Sequence, residues 1–199
     1  MKIVVTGQPG VGKTTLVERV LAEVPLKAGG MITREIRKIG RRVGFAVIDV
    51  ATGKEGVLAH IHLPRGPRLG RYRVNLQDLD GVGAAAIEWA LEHAELVVVD
   101  EVGPMELKSP RFIAAVERAL TAPKHLLLTV HRASNHRLAY RARHECDLLV
   151  RLSVGNRDEK TGQIIELFSQ LASGRAGNSG SNEFGAPPSA ERPGAFGAP

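Results

Sequence analysis

Apolar segments of strand length alternate along the chain with segments whose apolar residues recur at helical spacing. The first kind predicts strands at 2–6, 28–37, 43–50, 56–61, 96–101, 125–130 and 147–154, with a shorter one at 74–76. The second kind predicts helices that end near residues 24, 93, 122, 144 and 171. Helix-starting residues are expected at Asp78, Ser109 with Pro110, and Asp158. Pro25 and Pro123 are expected to end two of the helices.

This order of elements predicts an α/β fold. Strands that alternate with helices form a mainly parallel central sheet with helices on both faces. The region 28–61 is different, because its strands follow one another with only short turns between them. It therefore predicts an inserted antiparallel hairpin region beside the parallel sheet.

Composition indicates one globular domain with an unusual end. The chain has 199 residues and a net charge of +6. Residues 1–172 have ordinary proportions of charged and apolar side chains, whereas residues 173–199 are rich in Gly, Pro and Ser. Such a segment has little apolar surface to bury against the entropy of ordering, so we predict a disordered tail. Whether this tail is native or an added extension stays open.

Cysteine content and hydropathy suggest where the protein works. Cys146 is the only cysteine, so an internal disulfide is excluded, as is usual in a reducing compartment. The chain enters its first strand at once, and no apolar run approaches the roughly 20 residues that span a bilayer. We therefore expect a cytoplasmic protein without a membrane partner, and we expect a monomer.

The net charge and the spacing of the histidines restrict the classes of ligand that the chain is expected to bind. A basic chain suits polyanions, which include nucleoside triphosphates and nucleic acid. Aromatic residues make up only 4% of the chain and are not interleaved with the basic ones, so nucleic acid is weakly supported as a partner. The histidines show no zinc-type spacing with Cys146.

A glycine-rich stretch between the first strand and the first helix fits the phosphate-binding pattern G-x-x-x-x-G-K-[ST]. Its backbone amides and the helix N-terminus are suited to bind phosphate. Lys13 is placed to reach the β- and γ-phosphates, and the Thr14 hydroxyl to ligate Mg²⁺. The predicted nucleotide-contacting residues of this stretch are Gly7, Gln8, Pro9, Gly10, Val11, Gly12, Lys13, Thr14 and Thr15.

Two carboxylates follow a buried strand, where the acidic half of such a site is expected. Asp100 is the predicted magnesium ligand together with Thr14, and Glu101 is the predicted catalytic residue that orients the attacking water. The second nucleotide-contacting segment is expected to comprise Val97, Val98, Val99, Asp100, Glu101, Val102, Gly103 and Pro104. The alternative is an exposed strand end that only caps a loop.

The sequence motifs for binding the nucleotide base are less clear than those for binding phosphate. Residues 100–103 fit the D-x-x-G switch motif of GTPases, but the later segment Asn156-Arg157-Asp158 departs from the N-K-x-D motif that selects guanine. We expect Asn156 and Arg157 to border the base, with the Arg157 guanidinium stacked on it. A role of this segment in starting the last helix is compatible with that.

The negative charge on the phosphoryl oxygens in the transition state must be stabilised by cationic groups, and one besides Lys13 is expected. Arg132 follows the strand 125–130 and is the predicted catalytic arginine, while a surface or capping role is its alternative. His131 is interpreted as structural. The basic segment 63–73 is either a solvated loop or a flap over the nucleotide.

Together these motifs resemble the small P-loop nucleoside-triphosphatase family, the family of a human cancer-related nucleoside-triphosphatase. The segments Asp100-Glu101-Val102-Gly103-Pro104-Met105-Glu106-Leu107 and Asn156-Arg157-Asp158 make the resemblance specific, and the matches span nearly all of residues 1–170. It implies a RecA-like P-loop fold and slow, Mg²⁺-dependent hydrolysis of ATP, GTP, CTP and UTP with low base selectivity. One departure is Pro104, because members of the family often have Lys at this position.

Two other functions stay open. A nucleoside or nucleotide kinase would use the same phosphate loop, with segment 63–73 as a lid. A nucleotide-dependent, RNA-associated switch would use the positive charge and the D-x-x-G motif.

Overall fold

The computed structural model describes residues 1–176, which form one mixed sheet covered by helices. The strands are β1 (Lys2–Gly7), β2 (Ala28–Lys38), β3 (Arg41–Asp49), β4 (Glu55–His60), β5 (Arg68–Leu69), β6 (Tyr72–Val74), β7 (Leu96–Val102), β8 (His125–His131) and β9 (Leu148–Leu152). The helices are α1 (Lys13–Glu23), α2 (Leu76–Asp78), α3 (Ala85–His93), α4 (Pro110–Thr121), α5 (Arg137–His144) and α6 (Arg157–Ala176). A π-helical stretch, Leu79–Ala84, joins α2 to α3, and a 3-10 turn, Glu106–Lys108, precedes α4.

The strand order is β5-β6-β4-β3-β2-β7-β8-β1-β9. Strands β2, β7, β8, β1 and β9 pair in parallel, and β3 to β6 continue the sheet in antiparallel pairs. The prediction of a mainly parallel α/β sheet with an antiparallel insertion is confirmed. The structure also shows that the inserted strands extend the same sheet beyond β2, so that the parallel and antiparallel parts share one surface.

Side chains that alternate along the buried strands divide the core into two layers. On β7, Val97 and Val99 face the layer that contains α3, α4 and α5, whereas Leu96 and Val98 face the layer of α1 and α6. The near-continuous apolar runs of β7 and β8 reflect this burial on both faces. Parallel strands in one sheet direct their carboxyl ends to a common edge, where β1, β7 and β8 end together.

Several predicted boundaries are wrong by a few residues. Asp78 does not cap its helix, because the helical segment starts after Asn75, whose side chain accepts a hydrogen bond from the Asp78 N–H. The Asp78 carboxylate instead accepts from Val57 N on the neighbouring β4 at 2.7 Å. Helix α6 begins at Arg157, which places Asp158 in its first turn. The last strand ends at Leu152 rather than at residue 154.

The same helix α6 bears on the predicted tail. It continues to Ala176, four residues beyond the predicted domain boundary at 172. The rest of the predicted tail, residues 177–199, lies outside the described residues. Within residues 1–176, no helix combines the length and the apolar character needed to cross a membrane.

Ser109 provides a test of how α4 is anchored. Its fully buried hydroxyl accepts from Phe112 N at 2.9 Å and donates to Asp80 in the π-helical stretch, so it joins two helical segments. We expect Ser109→Ala to lower the free energy of unfolding by about 1–2 kcal/mol, because the cap is lost and Asp80 loses a donor. Urea unfolding followed by circular dichroism measures this.

The matched control removes a hydroxyl from the other end of α4. Thr121 donates only to carbonyl groups of its own helix and is exposed, so Thr121→Ala should change the free energy by less than about 0.5 kcal/mol. Equal effects of the two substitutions would contradict the capping role of Ser109.

Candidate active site

The turn between β1 and α1 exposes backbone amides at the edge where the parallel strands end. Gly12 precedes α1 with φ 103°, a left-handed conformation that favours glycine. A Cβ on Gly7 would lie 2.8 Å from Val11 Cγ1 and 2.9 Å from the Leu152 carbonyl, so the turn is also closely packed. The first amides of α1 lack intrahelical partners and point toward the end of the helix, which is suited to bind an anion.

Lys13 is held inside this turn rather than in solvent. Only 6% of its surface is exposed, and its Nζ lies 3.4 Å from the Gly7 carbonyl oxygen. The same Nζ lies 3.5 Å from Oε2 of Glu101 at the end of β7. The predicted catalytic pair therefore forms an ion pair across the site.

Asp100 is fully buried between two hydroxyl groups. Thr14 Oγ1 donates to its Oδ2 at 2.7 Å, and Thr129 Oγ1 on β8 donates to its Oδ1 at 2.6 Å. Burial raises the pKa of Asp100 to about 6, because these hydrogen bonds only partly replace the water that the carboxylate has lost. A cation beside Asp100 would restore the balance of charge.

The residues around Asp100 fit a magnesium ion. Thr14 and Asp100 offer a hydroxyl and a carboxylate oxygen, which are the hard donors that Mg²⁺ prefers. Within the described part of the chain no group of three or more His, Cys, Asp or Glu is arranged for a metal. Such a sparse protein donor set is typical of sites where phosphates complete the coordination of Mg²⁺.

Glu106 is a second buried carboxyl group beside the site. It is 6% exposed, and its Oε2 accepts a hydrogen bond from Gly103 N at 3.1 Å. Burial raises the pKa of Glu106 to about 8, and the nearby charges of Glu101 and Asp100 act in the same direction. The raised pKa favours the protonated form of the Glu106 side chain, and Glu101 is the carboxylate of this loop that meets Lys13.

These groups open onto a cavity of about 730 Å³. One end is lined by the phosphate loop, through Pro9, Gly10, Gly12, Lys13, Thr14 and Thr15. The floor is formed by Glu101, Gly103, Pro104, Met105, Glu106 and His131. The far wall comes from the antiparallel region and from α1, through Glu18, Thr33, Arg34, Glu35, Arg42, Phe45 and Leu69.

Some predicted contact residues do not line the cavity. The side chains of Val11, Val97, Val98, Val99 and Val102 are buried in the core, and none of them belongs to the cavity lining. Gln8 is exposed and is not part of the cavity wall either. Gly7 and Asp100 lie behind the lining, where they are bonded to Lys13 and Thr14 respectively. The members of the two predicted segments that line the cavity are Pro9, Gly10, Gly12, Lys13, Thr14, Thr15, Glu101, Gly103 and Pro104.

Arg132 does not meet the other predicted catalytic residues. It is exposed just after the end of β8, and the residue of this strand end that lines the cavity is His131. Arg132 itself lies in the turn that follows β8 and does not line the cavity.

Asn156 and Arg157 lie beside the phosphate loop at its outer edge. A Cβ on Gly12 would be 3.7 Å from Arg157 Cδ, which puts this arginine next to the start of α1. The Asn156 side chain is engaged in its own turn, since its Oδ1 accepts from Ser153 N at 2.8 Å and its Nδ2 donates to the Arg151 carbonyl at 3.1 Å. Both polar groups of the Asn156 side chain are thus hydrogen-bonded to the protein backbone.

The basic segment 63–73 is not a loop throughout, because β5 and β6 form a short hairpin within it. Leu69 is its member in the cavity wall, while Arg71 and Arg73 are bonded to neighbouring protein groups. The interpretation as a flap of arginines over the phosphates is therefore not supported.

Sequence reasoning missed Thr129, Glu106 and the wall from the antiparallel region. Thr129 had a signal, because a polar residue within a fully apolar strand needs a buried partner. Glu106 lies in the segment that made the family resemblance specific, but nothing in its local pattern indicates burial. The wall has no local signal at all, because it depends on the pairing of β2 with β7.

Comparison with known proteins places this geometry in a family. A family model described as NTPase matches residues 2–165. Proteins named nucleoside-triphosphatase THEP1 are among the relatives. The one from Methanosarcina barkeri is 46% identical over 175 residues, which cover 86% of this chain and 99% of the relative. The one from Methanosarcina acetivorans is 49% identical over 172 residues, covering 84% and 97%.

Solved structures agree. The crystal structure of THEP1 from Aquifex aeolicus matches with a TM-score of 0.77 at 31% identity, over 84% of this chain and 99% of that one. The solution structure of a human cancer-related nucleoside triphosphatase matches with a TM-score of 0.69 at 30% identity, over 85% and 97%. The P-loop fold, the phosphate site and these relatives agree, and the chain belongs to the nucleoside-triphosphatase family, whose members are hydrolases of nucleoside triphosphates.

Proposed function

We propose that this enzyme hydrolyses the β–γ anhydride bond of ATP, GTP, CTP and UTP in a magnesium-dependent reaction with low base selectivity. The observation that carries the proposal is the convergence of Lys13, Thr14 and Glu101 in the cavity lining, with the buried Asp100 carboxylate bonded directly behind Thr14. These groups supply a cation for the phosphates, oxygen ligands for magnesium and a carboxylate for water.

The Lys13–Glu101 ion pair suggests the order of events. Phosphate oxygens entering the loop compete with Glu101 for the Lys13 ammonium, because Lys13 lies within the turn that binds them. Glu101, with 24% of its side chain exposed, is then released to accept a hydrogen bond from a water molecule in the cavity. Binding of the nucleotide thereby frees the Glu101 carboxylate for catalysis.

Thr14 and Asp100 would hold the magnesium ion, which would supply positive charge to the β- and γ-phosphates. Thr129 keeps Asp100 oriented through its hydrogen bond at 2.6 Å. Lys13 and the amides at the start of α1 add further positive potential. Arg132 stays a prediction as a second cation, and Pro104 can offer none.

Low base selectivity is supported by Asn156. An amide that reads a base must have free donor and acceptor groups, and both groups of Asn156 are bonded to the backbone of its own turn. Arg157 can still stack on a base, and stacking accepts every base because each has a π-face.

A kinase, an RNA-associated switch, a nucleic-acid partner, a monomeric state and a cytoplasmic location stay predictions from the sequence. The cavity is compatible with a kinase because it extends beyond the phosphate loop.

The first experiment measures phosphate release from each of the four triphosphates with Mg²⁺. We expect kcat/KM values within about tenfold of one another, since the amide groups of Asn156 are already bonded to the backbone of its own turn. Glu101→Gln should lower kcat by about 100-fold or more, because the amide is a poor proton acceptor. Nucleotide affinity should stay equal or improve, because Lys13 loses its competing partner.

Glu92→Gln makes the same chemical change on an exposed residue of α3 and serves as the matched control. An unchanged rate in Glu101→Gln, or an equal fall in the control, would show that the assignment of Glu101 is wrong.

The second prediction concerns the magnesium site. Asp100→Asn removes the carboxylate oxygen paired with Thr14, so the Mg²⁺ concentration for half-maximal hydrolysis should rise at least about tenfold. Chelation with EDTA should stop hydrolysis by the unchanged protein, and added Mg²⁺ should restore it. A magnesium titration of the rate checks both, and an unchanged requirement in the variant would exclude Asp100 as a ligand.

Thermal unfolding of Asp100→Asn distinguishes loss of the magnesium ligand from loss of the folded state. Because burial raises the pKa of Asp100 to about 6, its charged form destabilises the metal-free fold above that pH. Asp100→Asn should therefore not lower the melting temperature at pH 8, and the loss of activity cannot be ascribed to unfolding.

Glu106 gives a prediction with a defined pH window. Its pKa is raised to about 8 in the folded protein, above the 4.5 of an unperturbed glutamate, which is expected in the unfolded chain. Between these values the folded state binds more protons, so this group costs increasing stability as pH rises from about 4.5 to 8. Glu106→Gln keeps an acceptor for Gly103 N and should stabilise the protein by about 2–4 kcal/mol at pH 8.

The same substitution should have a much smaller effect at pH 5, of about 1 kcal/mol, because pH 5 lies only just above the 4.5 of the unfolded chain. Urea unfolding at the two pH values measures the difference. A stabilisation of equal size at both would show that packing, and not protonation, is responsible.

A further inference from the structure

The cavity is larger at one side than the phosphate loop requires. In the sheet, β3 and β2 lie on one side of β1, separated from it by β7 and β8, and β9 lies on the other side. Arg157, which follows β9, is next to Gly12, so a base stacked there leaves the β2–β3 side of the cavity open. That side is the wall formed by Thr33, Arg34, Glu35, Arg42, Phe45 and Leu69.

Positive charge is in excess behind this wall. Glu35 accepts hydrogen bonds from Arg42 at 2.7 Å and from Arg37 at 2.6 Å, and these bonds lower the pKa of Glu35. Arg71 lies in the same cluster and donates to the Tyr72 hydroxyl at 2.9 Å and to the Arg42 carbonyl at 2.6 Å. Two guanidinium groups thus bond to one carboxylate, and the third lies beside them without a carboxylate contact of its own within residues 1–176. Their mutual repulsion would be relieved by an anion.

Arg42 is the member of the cluster that faces the cavity. Its guanidinium lies 5.2 Å from the centre of the Phe45 ring and its Nε donates to the Tyr72 hydroxyl at 3.2 Å. It is nevertheless 45% exposed, so its position is fixed while a ligand can still reach it. A guanidinium held in this way loses little entropy when it binds a phosphate.

An apolar surface lies beside this charge. Phe45 is half-buried, packs edge-on against Tyr72 with ring centroids 5.4 Å apart, and lines the cavity together with Leu69. Tyr72 is 8% exposed and supports both Phe45 and Arg42 from behind. A fixed cation next to an aromatic and an aliphatic side chain suits a ligand that combines a phosphate with a flat ring.

We propose that this wall binds a nucleoside monophosphate while a nucleoside triphosphate occupies the phosphate loop. The monophosphate's phosphate meets Arg42, with the charge of Arg37 and Arg71 behind it, and its base lies against Phe45 and Leu69. The inference rests on the proposed function for the first ligand, and it adds a second ligand of the same chemical family to the same cavity.

The test separates the two ligands. The full chain is saturated with Mg²⁺ and a non-hydrolysable β,γ-imido triphosphate, and then GMP, AMP, CMP and UMP are titrated by calorimetry. We expect one monophosphate to bind per chain with the analogue in place. Arg42→Ala should weaken this binding at least about tenfold, because a charged hydrogen-bond donor to phosphate is lost.

Arg41→Ala is the matched control, because Arg41 is the neighbouring exposed arginine of β3 and lies outside the cavity wall. It removes the same charge and should weaken binding less than about twofold. Equal weakening by both variants would reduce the effect to overall charge and overturn the proposal. Thermal unfolding checks that both variants are folded.

Phe45→Leu tests the base-binding part, since it keeps an apolar side chain but removes the ring. It should weaken monophosphate binding and leave competition by inorganic phosphate unchanged. Inorganic phosphate that binds as tightly as every monophosphate would overturn the nucleoside assignment. If the analogue binds and no monophosphate does, this inference alone falls, whereas failure of the analogue to bind would contradict the proposed function first.

Discussion

A buried carboxylate without a permanent counter-charge governs the arrangement of this protein. Asp100 lies at the end of a fully buried strand, and hydrogen bonds from Thr14 and Thr129 are its direct support. Those two bonds tie β7 to the phosphate loop on one side and to β8 on the other. Because desolvation raises the pKa of Asp100 to about 6, the metal-free fold carries an electrostatic cost at neutral pH. In the proposed function, a magnesium ion held by Asp100 and Thr14 would offset that cost.

The sheet assigns different tasks to its two parts. The parallel part collects the phosphate loop, Asp100 and Glu101 at one edge, as open α/β sheets generally do. The antiparallel part adds no group to the phosphate site itself and instead builds the arginine-bearing wall across the cavity. Since β2 pairs directly with β7, the two parts are rigidly joined and the distance across the cavity is set by sheet geometry.

The sequence was sufficient for the features that depend on local pattern. Glycine spacing identified the phosphate loop, and the carboxylates after an apolar run identified Asp100 and Glu101. It was insufficient where a side chain's direction or a distant pairing decides the outcome. His131 lines the cavity whereas its neighbour Arg132 lies in an exposed turn outside it, and both amide groups of Asn156 bond to the backbone of its own turn. Glu106 looks like an ordinary surface glutamate until the 3-10 turn buries it against Gly103.

Because the Asn156 amide groups bond to the backbone of their own turn, they affect which cellular nucleotides the protein would consume. With the low base selectivity that we propose, the enzyme would consume each triphosphate according to its supply, so the composition of the nucleotide pool would decide which product accumulates. It would respond to the number of phosphates on a nucleotide and not to the identity of the base. Selection among substrates would then have to come from the far wall of the cavity or from whatever delivers the nucleotide.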